Sequence, residues 1–503
     1  MSLVNGWTGE TAATLQSALR MSNEAFAHHL GIGVRTVAAW HKKPSLRPQS
    51  EMQRILDTAL EQAGPTVQIR FAELVGKTSS TPDDRLTLDP NITSALDWLD
   101  HHAGREPGTS RRDVAARLDH VDPHDIELRG RRRGRVTQHQ VARALAEYYG
   151  NPSGLYRAGN GVTTSILTHP DWLDLECPLI ASHDRLALTN ETEPPIALDA
   201  EAAGQAAQRL AETLALSVRM IDMPIYQLRS VDIHQGALGG TVGVTRFVHY
   251  ALTLDLLEGE LVDALAAGST AHPLRDRYLP DLDSVQDLST RLCAGGSLAL
   301  TAIARPADPY RGPADYVLLV QERSGHVVNA ARRLAVIPKG FHQPMTDYRA
   351  DAQIGATLRR EMEEELFGRD DVDNTVGEQR FADPMHPSRL SEPMRWLMSD
   401  HGRLRMECTG FGLNLVSGNY EFAGLMVIDD EEFWTRYGGM IEANWEASTL
   451  RQYSTRDPTQ IEHLIQDEGW SNEGLFALLQ GLRRLRELGG SRVNLPAIEW
   501  ELS

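Results

Sequence analysis

The sequence predicts a multidomain chain of α and α+β class, with an all-α head, a helical and mixed middle region, and a C-terminal α/β/α sandwich. Three observations carry the prediction. Single hydrophobic cores stop growing at ~250–300 residues, and this chain has 503. The first stretch reads as short amphipathic helices with capping residues between them, a pattern of period 3.6 with no strand-like alternation. From about residue 295 the period changes, and apolar β-branched runs bracket one helix crowded with carboxylates. The expected boundaries are 1–75, 76–160, 161–294 and 295–503.

Composition narrows the class of protein. The chain is 41% hydrophobic with a mean hydropathy of −0.35, and no apolar run is long enough to span a bilayer. Met1 to Gly9 holds no basic residue and no apolar core, so no signal segment is read there and a cytoplasmic site without a membrane partner is expected. Cys177, Cys293 and Cys408 are odd in number and far apart, which argues against a disulfide framework or a zinc knuckle and for core thiols. Net charge is −19, yet residues 1–150 sum to +1, so the remaining 353 residues carry −20. An acidic body is joined to a head free to approach another polyanion.

The head is read first. Ser22 caps a helix over Asn23 to Leu30 with Ala25, Phe26 and Leu30 inward; Gly31-Ile32-Gly33 turns the chain; Val34 to His41 starts a second helix with Val37 and Trp40 buried. Gln49 to Ala63 follows, with Met52, Ile55, Leu56 and Leu60 at core spacing, and the head closes by about Gly64. The run from Phe26 to Trp40 resembles the helix-turn-helix of repressor-type DNA-binding domains, as in actinobacterial transcriptional regulators, with Ala27 at the helix crossing and Gly31 in the turn. The resemblance implies that Val34, Arg35, Thr36 and Ala39 face base edges in the major groove of duplex DNA while Lys42 and Lys43 hold phosphates. Gly33 departs from the hydroxyl usual at that cap. One such head covers one half-site, so a homodimer is expected.

The middle is less eloquent. Thr78 to Asp84 reads as a linker; Ile92 to His101, Arg111 to Leu118 and Thr137 to Tyr149 read as helices. The basic run from Arg129 to Arg135, with Arg131, Arg132 and Arg133 at its centre, suits either a phosphate backbone or a solvated loop. Asp199 to Leu216 and Val248 to Ala267 read as helices of a sensor or dimerisation region over 161–294.

The C-terminal part carries the chemistry. Ser297 to Arg305, Tyr316 to Gln321 and Leu334 to Ile337 read as strands, and Gly410 to Val416 with Tyr420 to Ile428 as a hairpin about Ser417-Gly418-Asn419. Between them, Leu358 to Leu366 packs four acids and two arginines into about two and a half helical turns. Glu361, Glu364 and Glu365 share one side at i, i+3 and i+4, beside an apolar stripe of Leu358, Met362 and Leu366. Three carboxylates on a rigid helix suit Mg²⁺ or Mn²⁺. Arg360-Glu361-Met362-Glu363-Glu364-Glu365 resembles the end of the Nudix signature helix. The family's upstream glutamate and glycine positions hold Ala352 and Thr346 here, its later glycine is replaced by Phe367 with Gly368 one place on, and the nearest upstream glycine, Gly340, lies about six residues too early.

The resemblance covers roughly Gly295 to Gly438, extending to the helix at Asn472 to Leu488. It implies a Nudix-like sandwich that takes a nucleotide-derived small molecule, with the metal on Glu361, Glu364 and Glu365, Arg360 orienting a carboxylate, and Lys339 and Glu421 at the ligand. Two functions follow. The first is a DNA-binding transcriptional regulator whose Nudix-like domain senses that metabolite. The alternative is a Mg²⁺-dependent hydrolase of a nucleoside diphosphate derivative, with the head as tether and Glu421 completing the cage or acting as base. The displaced glycines are expected to misplace the loop that presents Glu361, which favours binding over turnover. Removing Glu364 or Glu365 charge is expected to leave stability level or raised, by relief of repulsion.

Overall fold

The computed structural model describes residues 7–19, 21–44, 46–63, 67, 70–71, 74, 82–190, 196–216, 218, 220–323, 332–367, 385–400, 402–441 and 447–502. Gly64, Gly368 and the 78–81 part of the expected linker lie outside them. The chain is mixed α/β and divides into two compact units, 1–93 and 94–503.

The first unit contains α1 (Gly9–Leu19), α2 (Asn23–Leu30), α3 (Val34–Lys42), α4 (Ser50–Gln62) and α5 (Pro82–Leu88), and α6 (Pro90–His102) crosses the boundary. Trp7, Leu15, Phe26, Val37, Trp40 and Leu56 share one buried core. Local chemistry sets the corners. The Ser22 hydroxyl accepts the Ala25 N–H at 3.1 Å, closing the α2 N-terminus. Gly31 stands at φ +67°, the left-handed conformation in which glycine bears no Cβ penalty, and the Ile32 N–H returns to the Ala27 carbonyl at 2.9 Å. Gly33 precedes α3 with no side-chain cap. Gln16, unread in the sequence, ties the corner together: its amide donates to the Met21 carbonyl and to Asn23, both at 2.9 Å, and its oxygen accepts from His41 at 2.8 Å.

The second unit opens with α7 (Thr109–Leu118), α8 (Pro123–Arg133) and α9 (Gln138–Tyr148). Most of the basic run therefore lies in the last turns of α8, where cations suit the helix dipole. Next come β1 (Leu155–Ala158), β2 (Val162–Leu167), β3 (Leu173–Pro178), β4 (Asp184–Leu188), α10 (Ala200–Ala215), β5 (Pro224–His234), β6 (Ala237–Arg246), α11 (Phe247–Ala251), α12 (Leu256–Ala267), α13 (Pro273–Tyr278) and α14 (Leu282–Gln286). The helix expected over Val248 to Ala267 is thus two. The chain leaves helical geometry at Leu252, where Thr253 bonds back to Tyr250 and His249 and the buried Asp255 pairs with the partly exposed Arg209.

The remainder is β7 (Gly295–Arg305), β8 (Asp315–Arg323), β9 (Leu334–Val336), β10 (Lys339–Phe341), α15 (Ile354–Leu366), α16 (Glu392–Met398), β11 (Arg405–Asn414), β12 (Asn419–Ile428), α17 (Glu431–Tyr437), β13 (Ala447–Ser454), α18 (Pro458–Ile465), α19 (Asn472–Leu488) and β14 (Trp500–Leu502). Eleven strands form one sheet in the order β13-β8-β7-β12-β11-β2-β1-β14, with β9 on β8, β10 on β7 and β3 on β11. Strands from residues 155–178 therefore extend the sheet built by 295–454. A second sheet runs β4-β6-β5.

Strand alternation sorts the two faces of the large sheet. Leu298, Leu300, Ala423 and Leu425 join Phe476, Leu479 and Leu482 of α19 in one core. The intervening Ala299 and Gly424 face α15: a Cβ built on Gly424 would lie 3.3 Å from Leu358 and 3.2 Å from Ala299. Helices α15 and α19 thus cover opposite faces.

Candidate functional site

The apolar stripe of α15 docks as its spacing requires, with Leu358, Met362 and Leu366 buried. The carboxylates do not gather. The Glu361 carboxylate takes a hydrogen bond from Arg360 Nη2 at 2.6 Å and lies against Gly340, where any Cβ would sit 2.0 Å from the carboxyl carbon. Only glycine permits that approach. Arg360 also donates to the Phe341 and Gln343 carbonyls at 3.2 and 3.3 Å. Burial opposes its charge, but Glu361 and Glu364 hold its pKa above the ordinary value. Glu365 accepts the Lys339 N–H at 2.7 Å and the Gln321 amide at 3.3 Å, with Arg323 4.0 Å away. Glu363 turns elsewhere and accepts the Ser391 N–H and hydroxyl at 2.5 and 2.6 Å, serving the N-terminus of α16. Glu364 is half-buried.

Arg360, Glu361 and Glu365 therefore clamp β10 from one helix. Among the described residues no three His, Cys, Asp or Glu side chains converge as metal ligands. A cation on Glu361, Glu364 and Glu365 would have to draw Glu361 from Arg360 and Glu365 from the Lys339 N–H, so the arrangement as it stands does not fit the ion.

The extra residues after Gly340 loop out and leave Glu361 beside it. Asp351 accepts the N–H groups of Met345, Thr346 and Asp347 at 2.8, 3.0 and 3.1 Å, giving the insertion its own turn. His342 anchors the loop inside, with Nε2 donating to the Ala352 carbonyl at 2.9 Å and Nδ1 accepting from Tyr420 at 3.0 Å. Burial lowers its pKa to about 3, so the ring is neutral. Ala352, at the place of the family glutamate, is itself fully buried. The start of α15 is held instead by Asp184 of β4, which accepts the Gly355 N–H at 2.9 Å; burial pushes its carboxyl up to about 6.

Lys339 and Glu421 are brought together, but on the α19 face. Glu421 shares the parity of Ala423 and Leu425, so it points away from α15 and cannot complete a cage with Glu361. Lys339 Nζ meets Glu473 at 2.6 Å, and Asn414 donates to the other Glu473 oxygen at 3.2 Å. Burial works against the Glu473 charge, yet Lys339 keeps its pKa below the ordinary value. Glu421 goes the other way: burial and then the Glu473 charge push it up to about 8, with Lys339 and Asn414 pulling back. It is mainly a neutral acid at pH 7. Glu473 was missed in the sequence because an acid behind Ser471 reads as an ordinary first-turn residue.

In the first unit, Val37 and Trp40 are buried and Val34, Arg35, Lys42 and Lys43 are exposed, with Thr36 and Ala39 half-buried between them. No acid occurs in α3. The arginines of α8 differ among themselves: Arg133 forms a bidentate pair with Asp263 at 2.6 and 2.5 Å, Arg129 pairs with Glu212, and Arg131 with Glu127 at 2.7 Å. Arg132 and Arg135 are exposed, with no ion pair among the described residues. All three cysteines are buried free thiols, and no helix among the described residues is long and apolar enough to cross a membrane. No protein-family model matches the chain, and no curated protein matches it.

Proposed function

We propose that the chain is a cytoplasmic, dimeric regulator of transcription that reads duplex DNA with α3 and answers to a nucleotide-derived metabolite through a Nudix-like fold around α15. The observation that carries this reading is the outer face of α3: short, polar or basic, free of acids, and opposite the buried Val37 and Trp40. Arg35 and Thr36 lie in its first turn, where recognition helices meet base edges, and Lys42 and Lys43 close it, where cations meet phosphates. Ligand sensing outranks hydrolysis because Glu361, Glu363 and Glu365 already hold protein groups.

The test is salt-titrated binding of the full chain to a duplex selected from a random pool. Arg35→Ala is expected to erase the preference for the selected duplex. Lys43→Ala should weaken all sequences alike and flatten the salt slope by about one. If both variants keep wild-type affinity and slope, α3 is not the reader.

A second result separates a clamp from a cation site. Glu365→Gln is expected to lose about 1–3 kcal/mol of stability, because two buried donors face a carboxylate and an amide offers a single acceptor oxygen. Relief of repulsion predicts the opposite sign; for Glu365 the two donors outweigh it, and half-buried Glu364 is where it applies. Thermal midpoints with and without Mg²⁺ complete the test. A Mg²⁺-induced rise in wild type that Glu364→Gln abolishes would restore the metal site and the hydrolase reading.

A further inference from the structure

Helix α8 has no buried residue, yet it is fixed to the body by the pairs of Arg129 with Glu212 and Arg133 with Asp263. Held off in this way, it walls a cleft of about 1070 Å³ against α7 and α10. That volume is at the upper end of small-molecule pockets, which run ~300–1,000 Å³. Two kinds of surface line it. Val121, Ile126 and Leu128 give an aliphatic wall, and Leu128 is 40% exposed. Arg132, one turn beyond Leu128, and Arg135, just past the end of α8, line it as guanidinium groups without ion pairs among the described residues. Three of the four lining acids are spent: Asp113 binds Arg117 at 2.9 Å, Glu212 binds Arg129, and Asp122 caps α8 through the His124 N–H at 2.8 Å, while Asp125 lies in the first turn of α8. The helix dipole accounts for acids at the start of α8 and cations at its end. It does not account for exposed aliphatic side chains beside two arginines without ion pairs.

We propose that this cleft binds a soluble small molecule with a phosphate or diphosphate head on a short aliphatic body. Arg132 and Arg135 take the head, since a guanidinium fork matches phosphate oxygens two at a time, and the apolar wall takes the body. The site is separate from α15 and independent of DNA reading by α3.

Calorimetric titration of the full chain with n-octyl phosphate tests it. Octyl phosphate should bind saturably and at least about tenfold tighter than inorganic phosphate, the difference being the buried chain. Arg132→Ala/Arg135→Ala should weaken it by at least about tenfold. Neither side chain holds the fold, so the thermal midpoint should not move. Arg132→Lys/Arg135→Lys, which keeps the charges without the fork, should recover part of the affinity. Val121→Ser/Leu128→Ser should reduce octyl phosphate to the level of inorganic phosphate. Equal binding by wild type and the alanine pair would overturn the proposal. So would binding only to phosphatidic acid vesicles, or displacement of octyl phosphate by non-selected duplex DNA, which would assign the arginines to a lipid surface or to the DNA backbone.

Discussion

Lys339→Met is expected to destabilise the 94–503 unit by about 3–5 kcal/mol, the cost of removing one partner from a buried ion pair. The ammonium meets Glu473 at 2.6 Å, and both side chains are about nine-tenths buried, at 10% and 6% exposure. Methionine fills nearly the same volume, so packing changes little and the loss is electrostatic. Without the lysine, Glu473 faces the buried Glu421 with no cation beside it and must take up a proton to remain. The backbone N–H of residue 339 still reaches Glu365, so β10 stays attached to α15. Lys339→Met/Glu473→Gln should recover most of the loss, because the unpaired charge is then gone. Urea unfolding of the full chain reads both values; a single-variant loss under about 1 kcal/mol would show that water reaches the pair.

The contrast between Lys339 and the α15 acids shows what the sequence makes legible. Local signals were readable at short range: the Ser22 cap, the Gly31 turn, the apolar stripe of α15 and the hairpin at residues 417–419 all depend on neighbours a few positions away. Partners far along the chain were not. Glu363 finds Ser391 28 positions on, and Glu365 finds the N–H of Lys339 26 positions back. Spacing puts Glu361, Glu364 and Glu365 on one helix face, but the side chains then follow whichever donors the tertiary fold supplies. The same holds for Arg133, whose acid lies 130 residues away. The family resemblance, not any local signal, set Glu421 beside α15. Strand alternation fixes its face only once α15 and α19 are known to lie on opposite sides. The strands within 155–178 escaped because they are short, although β3 alternates cleanly between buried and half-buried positions.

Glu421→Gln is expected to remove a pH dependence of stability that wild type shows between pH 6.5 and 8. In the folded chain the Glu421 carboxyl is pushed from its ordinary 4.5 up to about 8. Between those values the folded protein holds one proton more than the unfolded chain. Its contribution is therefore complete below pH 4.5 and is lost as pH rises, by about 1.4 kcal/mol per unit, until the native carboxyl also ionises. Other groups obscure the lower part of this range. Asp184 and Asp255, raised to about 6, add slopes of the same sign that end near there, and His342, lowered to about 3, adds one of opposite sign ending at 6.5. The Cys177 thiol, raised from 9.0 to about 12, acts only above pH 9. The window from 6.5 to 8 thus belongs to Glu421 among these groups, and across it wild type should lose about 2 kcal/mol. Glutamine reproduces the neutral acid in size, so the variant should match wild type only below pH 4.5, already be the more stable near pH 6.5, and widen that lead by about 2 kcal/mol by pH 8. Parallel slopes for the two proteins across that window would mean that Glu421 is already ionised beside Lys339, and that the buried cluster carries two carboxylates on one ammonium.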